Sequence, residues 1–187
     1  MKKIILNFIL IITATSLHAQ VAIGKQSVNG NSTILDFEGN TLTNSPSDQN
    51  TTNDKGIILP AVGSSSNYTI VNPTTNNPNN GTFIFDKTLS KVRMFENGQW
   101  KDLSEEGDSS KVLNNVSPEK GKGVIIGSTT TTAKGVLVLE STNKAMILPH
   151  IKNPDQTVKS PYPGMMCYDT ATNSLAVYDG INWNYWK

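Results

Sequence analysis

The chain states one pattern twice, and that repetition limits its fold more than any other feature. Gly81 to Leu103 reads GTFIFDKTLSKVRMFENGQWKDL. Eighty-three residues on, Gly164 to Lys187 reads GMMCYDTATNSLAVYDGINWNYWK. Aligned without gaps, Gly81 meets Gly164, Phe85–Asp86 meet Tyr168–Asp169, Phe95 meets Tyr178, and Trp100 meets Trp183. Shorter echoes precede each block in the same order. VAIG at Val21–Gly24 returns as VIIG at Val124–Gly127. TILDFE at Thr33–Glu38 returns as VLVLE at Val136–Glu140, and KGIILP at Lys55–Pro60 as KAMILP at Lys144–Pro149. Chance is a poor explanation for four elements in one order. An internal repeat of this kind marks a supersecondary unit that needs a neighbour to cover its apolar face.

The repeat divides the chain. Residues 1–19 read as a signal peptide, 20–103 as the first copy with loop insertions, 104–123 as a polar linker, and 124–187 as the second copy. The linker, SEEGDSSKVLNNVSPEKGKG, is rich in Gly and Ser. The insertions, GNTLTNSPSDQNTTND and NPTTNNPNN, hold one large apolar residue between them, Leu42, and read as surface loops.

Each terminal block predicts a short-stranded, three-stranded β-meander. In Thr82–Phe85 the alternation puts Phe83 and Phe85 on one face. Asn97-Gly98 is a strong hairpin signal, because both residues of that turn need positive φ. The second copy is read with the same turn at Asp179-Gly180. Phe85, Phe95, Trp100, Tyr168, Tyr178 and Trp183 are the expected core of the modules, with Asn97, Gly98, Asp179 and Gly180 at their turns. The runs Ile57–Leu59 and Met146–Leu148 lack alternation, which predicts strands covered on both faces. Pro60 and Pro149 end them by removing a donor. A short helix is expected only in Asp155–Lys159 or the linker. The fold class is all-β: two tandem meander modules with long polar loops.

At the N-terminus, Lys2 and Lys3 precede an apolar run from Ile4 to Ile12, and TATSLHAQ offers a cut between Ala19 and Gln20. That is the secretory pattern, and the run is too short to span a bilayer. No later stretch is long enough to cross a membrane. Loss of Lys2 and Lys3 with the leader takes the net charge from +1 to −1. Charged residues make up 17% of the chain, against roughly 25% in an average domain. A near-neutral, charge-poor surface has no footprint for nucleic acid or anionic membranes. The single cysteine, Cys167, excludes an intrachain disulfide, so packing or oligomerisation must supply stability. The expected location is extracellular or associated with the outer membrane, with the periplasm as the alternative.

The recurring residues also match a known pattern, carried here by Ile126–Gly127, Leu139–Glu140, Lys144, Ile147–Pro149, Pro163–Gly164, Tyr168–Thr170, Leu175, Tyr178–Gly180 and Trp183. It resembles a repeat module of secreted and cell-surface proteins of Gram-negative bacteria and of phage tail-fibre and head-fibre proteins. The resemblance spans nearly the whole chain after the leader, twice. It implies elongated β-rich trimers, and so a homotrimer here. It is nearly silent on activity, because the matching residues are core, turn and strand positions. The first copy departs from it with DKT at Asp86–Thr88 and with its insertions.

Catalytic patterns are weak. His150 is the only histidine after the leader, and no Cys/His cluster offers a metal three or four ligands. A Cys167–His150 dyad competes with the reading of Cys167 as a small buried hydrophobe. No GxSxG is present, and GKGVIIG at Gly121–Gly127 lacks the spacing and the Ser/Thr of a phosphate loop. Asp48, Asp54 and Asp108 form no recognised calcium loop. The expectation is a non-enzyme without cofactor or metal. Its first role is structural or adhesive at the cell surface. Its alternative is recognition of a glycan or surface protein through the Asn/Thr-rich loops and an aromatic surface of Tyr162, Tyr185 and Trp186. Asp169–Ala171 (DTA) is similar to an O-glycosylation sequon of exported Gram-negative proteins, which makes Thr170 a candidate acceptor; a turn alone also explains it.

Overall fold

The computed structural model describes residues 20–37, 51–67, 77–114, 117, 121 and 123–187. Residues 1–19, the expected leader ending at Ala19, and most of both insertions lie outside the described residues. The described chain is almost entirely β-strand: β1 Val21–Ile23, β2 Thr33–Phe37, β3 Ile57–Ile58, β4 Ala61–Val62, β5 Phe83–Asp86, β6 Lys91–Glu96 and β7 Gln99–Asp102, then β8 Val124–Ile126, β9 Leu137–Leu139, β10 Ala145–Ile147, β11 His150–Ile151, β12 Met165–Asp169, β13 Ser174–Tyr178 and β14 Trp183–Trp186. One α-helical turn, α1 at Pro154–Thr157, overlaps the expected Asp155–Lys159 stretch, with Pro154 suited to its first position, and a 3-10 turn forms at Ser65–Asn67.

The two halves pair their strands alike. β1 runs parallel to β2 with Val21 opposite Leu35, and β8 parallel to β9 with Val124 opposite Leu137. β4 lies parallel to β5 with Ala61 opposite Phe85, and β11 parallel to β12 with His150 opposite Tyr168. β5-β6-β7 and β12-β13-β14 are antiparallel meanders. They bring Phe95 opposite Trp100 and Tyr178 opposite Trp183. Both aromatic pairs have ring centroids 5.3 Å apart. Such close cross-strand rings are a main source of stability in short sheets.

The hairpin turns differ. Asn97 and Gly98 both have positive φ, so β6 turns into β7 in two residues. In the second half only Gly180 is left-handed, and four residues separate Tyr178 from Trp183. The gapless alignment already offsets Asp179-Gly180 from Asn97-Gly98 by one residue. Here the Asp179 carboxylate builds the turn, accepting the N–H groups of Ile181 (2.8 Å) and Asn182 (2.7 Å) and the Asn184 amide (2.8 Å).

The main core lies between the halves. Leu59, Phe85, Val92 and Leu103 of the first meet Met166 and Val177 of the second, with Val112 from the joining segment. That segment runs against both halves: Gly107 N–H donates to Ser90 C=O (2.9 Å), and Asp108 N–H to Asp179 C=O (3.0 Å). A second cluster lies on the opposite face of β12–β13: Ile151, Val158, Met165, Cys167, Ala176 and Tyr178, with Trp183 packed on it. The full coverage expected of Ile57–Leu59 is not found. Leu59 is buried, but Ile58 is 54% exposed, because its side chain projects from the face of β3 that the described residues leave open.

Candidate functional site

The residues that could do something together are those joining the halves, and they join by exchanging one strand each. β3 leaves the first half and lies antiparallel on β12, with Ile57 opposite Met166 and Ile58 opposite Met165. Leu59 N–H then donates to Gly164 C=O at 3.0 Å. A Cβ on Gly56 would meet Met166 O at 2.7 Å, so glycine permits this crossing. In return β10 lies parallel on β2, with Met146 opposite Leu35 and Ile147 opposite Asp36. The Pro-bounded runs are thus lent strands. Pro fits their ends because it donates nothing to a ladder.

Smaller contacts fasten the same seam. Thr51 and Asn53 donate to the His150 carbonyl at 3.3 and 3.1 Å. Lys134 N–H donates to the Asn79 side chain at 3.0 Å. Thr51 and Asn79 lie near the C-terminal ends of the two insertions and are buried, so those ends are anchored at the seam. At the far end, Trp186 Nε1 donates to Leu103 C=O at 2.6 Å, tying the last strand to the last residue of β7's meander.

Buried aspartates hold the turns. Asp86 Oδ2 accepts Ser65 N–H (2.7 Å), and Oδ1 accepts Thr88 and Leu89 N–H (3.0 and 3.1 Å). Asp169 likewise takes Asn153 and Ala171 N–H (3.0 and 2.9 Å) and the Thr172 hydroxyl (2.7 Å). Burial pushes the Asp86 carboxyl up. The hydrogen bonds from Ser65, Leu89 and Thr88 outweigh it and hold the group below the ordinary carboxylate range.

The aromatic residues singled out in the sequence do not form one surface. Tyr162 packs on the main core, and its hydroxyl accepts Leu113 N–H at 2.9 Å. Trp183 faces Tyr178, while Trp186 reaches back to Leu103 and stays about half exposed. Partial burial, and then the carboxylates of Asp155 and Asp169, push the exposed Tyr185 hydroxyl up to about 12, so it stays protonated. Thr170 is 3% exposed, which leaves no room on its hydroxyl for a glycan in the folded chain.

Cys167 and His150 are not brought together. His150 pairs with Tyr168, whose ring it approaches at 5.0 Å, and Tyr168 and Cys167 project from opposite faces of β12. Burial, and then Asp169, push the Cys167 thiol up to about 12, so the thiolate needed for nucleophilic attack does not form near neutrality. Among the described residues no group of three or more His, Cys, Asp or Glu could hold a metal, and no helix is long and apolar enough to cross a membrane.

With this geometry in place, one comparison is informative. Residues 125–187, about a third of the chain, match the family described as Phage tail like trimerisation region. That stretch is therefore similar to a region through which chains trimerise. No curated protein and no solved structure matches the chain.

Proposed function

We propose that the chain is an exported structural protein that assembles as a homotrimer, built from two copies of one module. The match of residues 125–187 to a trimerisation region carries the reading. Three features support it. The strands are lent across a seam rather than kept within each half. Apolar side chains stay exposed on β8, β9 and the turn before them: Val124, Val136 and Leu137. The cysteine, histidine and aspartates serve packing and turns. Export rests on the leader at residues 1–19, and a place on the cell surface follows from export in this reading. Light scattering of the full chain on a sizing column tests the assembly. A mass near three chains is expected, and a monomer at micromolar concentration would remove the proposal.

A further inference from the structure

The seam uses only half of what the two modules offer. Each module has a second strand that can accept a neighbour and a third strand that it can lend. It also has a first meander strand whose leading residues can accept one. Within the chain, β2 accepts β10, and β12 accepts β3. Their counterparts β9 and β5 are built the same way but receive no lent strand among the described residues. Among the described residues β9 pairs only with β8, in the register that β2 shares with β1. Gly81 and Gly164, which lead into β5 and β12, have φ of 85° and 84°. They donate to Phe95 and Tyr178 carbonyls at the same 2.8 Å.

Equal backbone with unequal surroundings shows what is missing. Under β10, Ile34 and Leu35 are 2% and 1% exposed; their counterparts Val136 and Leu137 are 53% and 44% exposed. A Cβ on Gly164 would strike Phe85 Cβ at 2.9 Å, whereas one on Gly81 would meet nothing within 4 Å. Among the described residues, the vacant edges of β9, β10, β3 and β5 repeat the strand pattern of the edges the chain fills internally, with Ala145 where the internal crossing has Gly56, so β10 must stand slightly farther from β5 than β3 stands from β12.

We propose that a second copy of this chain fills them by the same exchange. β3 of one chain adds parallel to β9 of its neighbour, and the neighbour's β10 adds antiparallel to the leading residues of the first chain's β5. The expected register follows from the internal seam: Ile57 opposite Leu137, Ile58 opposite Val138, Met146 opposite Phe83, and Leu148 N–H to Gly81 C=O. The first half is the piece that fits, because the corresponding edge of the second half already holds β3. The joint connects unlike surfaces, so it is head-to-tail and either closes a ring or continues as a fibre. Three chains closing the ring meets the trimer proposed above. The inference rests on that self-association and adds the strands and register that make it.

Two variants test the joint in a Cys167→Ala background. Mixing an Ile58→Cys chain with a Val138→Cys chain under mild oxidation should give a disulfide-linked dimer, and neither chain alone should link through this joint. Leu137→Pro should abolish the trimer while leaving the circular dichroism spectrum of the chain unchanged. The Val136 carbonyl and Glu140 N–H bond β8, so strand alternation turns the Leu137 N–H to the vacant edge, where proline is tolerated but a ladder cannot form. A trimer that survives Leu137→Pro and gives no mixed disulfide overturns the joint while leaving self-association standing. A monomeric wild-type chain overturns both, and an intramolecular disulfide in one chain carrying both Ile58→Cys and Val138→Cys overturns the joint alone.

Discussion

The two halves present matching strands in opposite circumstances. Ile34 and Leu35 in β2 are sealed, while Val136 and Leu137 stand open. Gly164 is wedged on Phe85, while Gly81 has space beside it. Local sequence does not set these differences, since Leu35 and Leu137 are the same residue at the same register. Place in a seam sets them. The same β-strand chemistry yields core where a lent strand arrives and exposed apolar surface where none does.

The largest effect should come from breaking that asymmetry at its centre. Phe85 is fully buried between the halves, whereas its counterpart Tyr168 is half-buried against His150. Phe85→Ala should cost about 3–5 kcal/mol and unfold both halves in one transition. Tyr168→Ala should cost only about 1–2 kcal/mol, the scale of a ring pair with one open side. Urea melts followed by tryptophan fluorescence measure both. Equal losses would mean that the two meanders carry the same load and that the seam is not the core.

The glycine pair sharpens the contrast. Both positions have positive φ, which costs an alanine about 1–2 kcal/mol. At Gly164 the added methyl also meets Phe85, and overpacking adds about 1–3 kcal/mol. Gly164→Ala should therefore lower the melting temperature more than Gly81→Ala. Scanning calorimetry of the two variants side by side reads the difference.

The meanders were legible because their signals are local. Phe83 and Phe85 alternate, Asn97-Gly98 names its turn, and Trp100 and Trp183 sit at the same distance from aromatic partners. The repeat was legible by simple alignment. What could not be read was the destination of Ile57–Ile58 and Ala145–Ile147. Their unbroken apolar runs announce a strand wanting partners on more than one side, but a ladder partner dozens of residues away leaves no mark on the strand itself. The second hairpin was misread by one residue. The Asp179-Gly180 pair resembles a two-residue turn, and only the geometry reveals that the carboxylate of Asp179, not a second positive φ, closes it. The aromatic surface at the C-terminus dissolved for a similar reason: Tyr162 and Trp186 each spend a polar atom on the backbone of the segment around Leu103–Leu113.

The turn-holding Asp86 gives a pH dependence of intermediate size. Asp86 is depressed in the folded chain, below the unfolded value of about 3.9. Its stabilisation is therefore complete above that pH and drains away as pH falls through the folded value. The melting temperature should hold down to about pH 5 and fall below it, and Asp86→Asn should start lower and show a shallower fall. A variant that keeps the wild-type slope would place the acid-sensitive group elsewhere.

The smallest effect belongs to the strap at the end of the chain. Trp186 aligns with Leu103, yet it is the tryptophan that reaches across and donates to the Leu103 carbonyl at 2.6 Å. Trp186→Phe keeps an aromatic ring and removes the donor. The residue is 47% exposed, so water can satisfy part of the freed carbonyl, and the loss should be about 0.5–1.5 kcal/mol. Hydrogen exchange locates it better than a melt does. In Trp186→Phe the amides of Asn184 to Lys187 should lose protection while those of β5 and β12 keep theirs. Loss of protection in β12 as well would mean that the strap holds the whole seam closed, and the second half would then depend on the first at both of its ends.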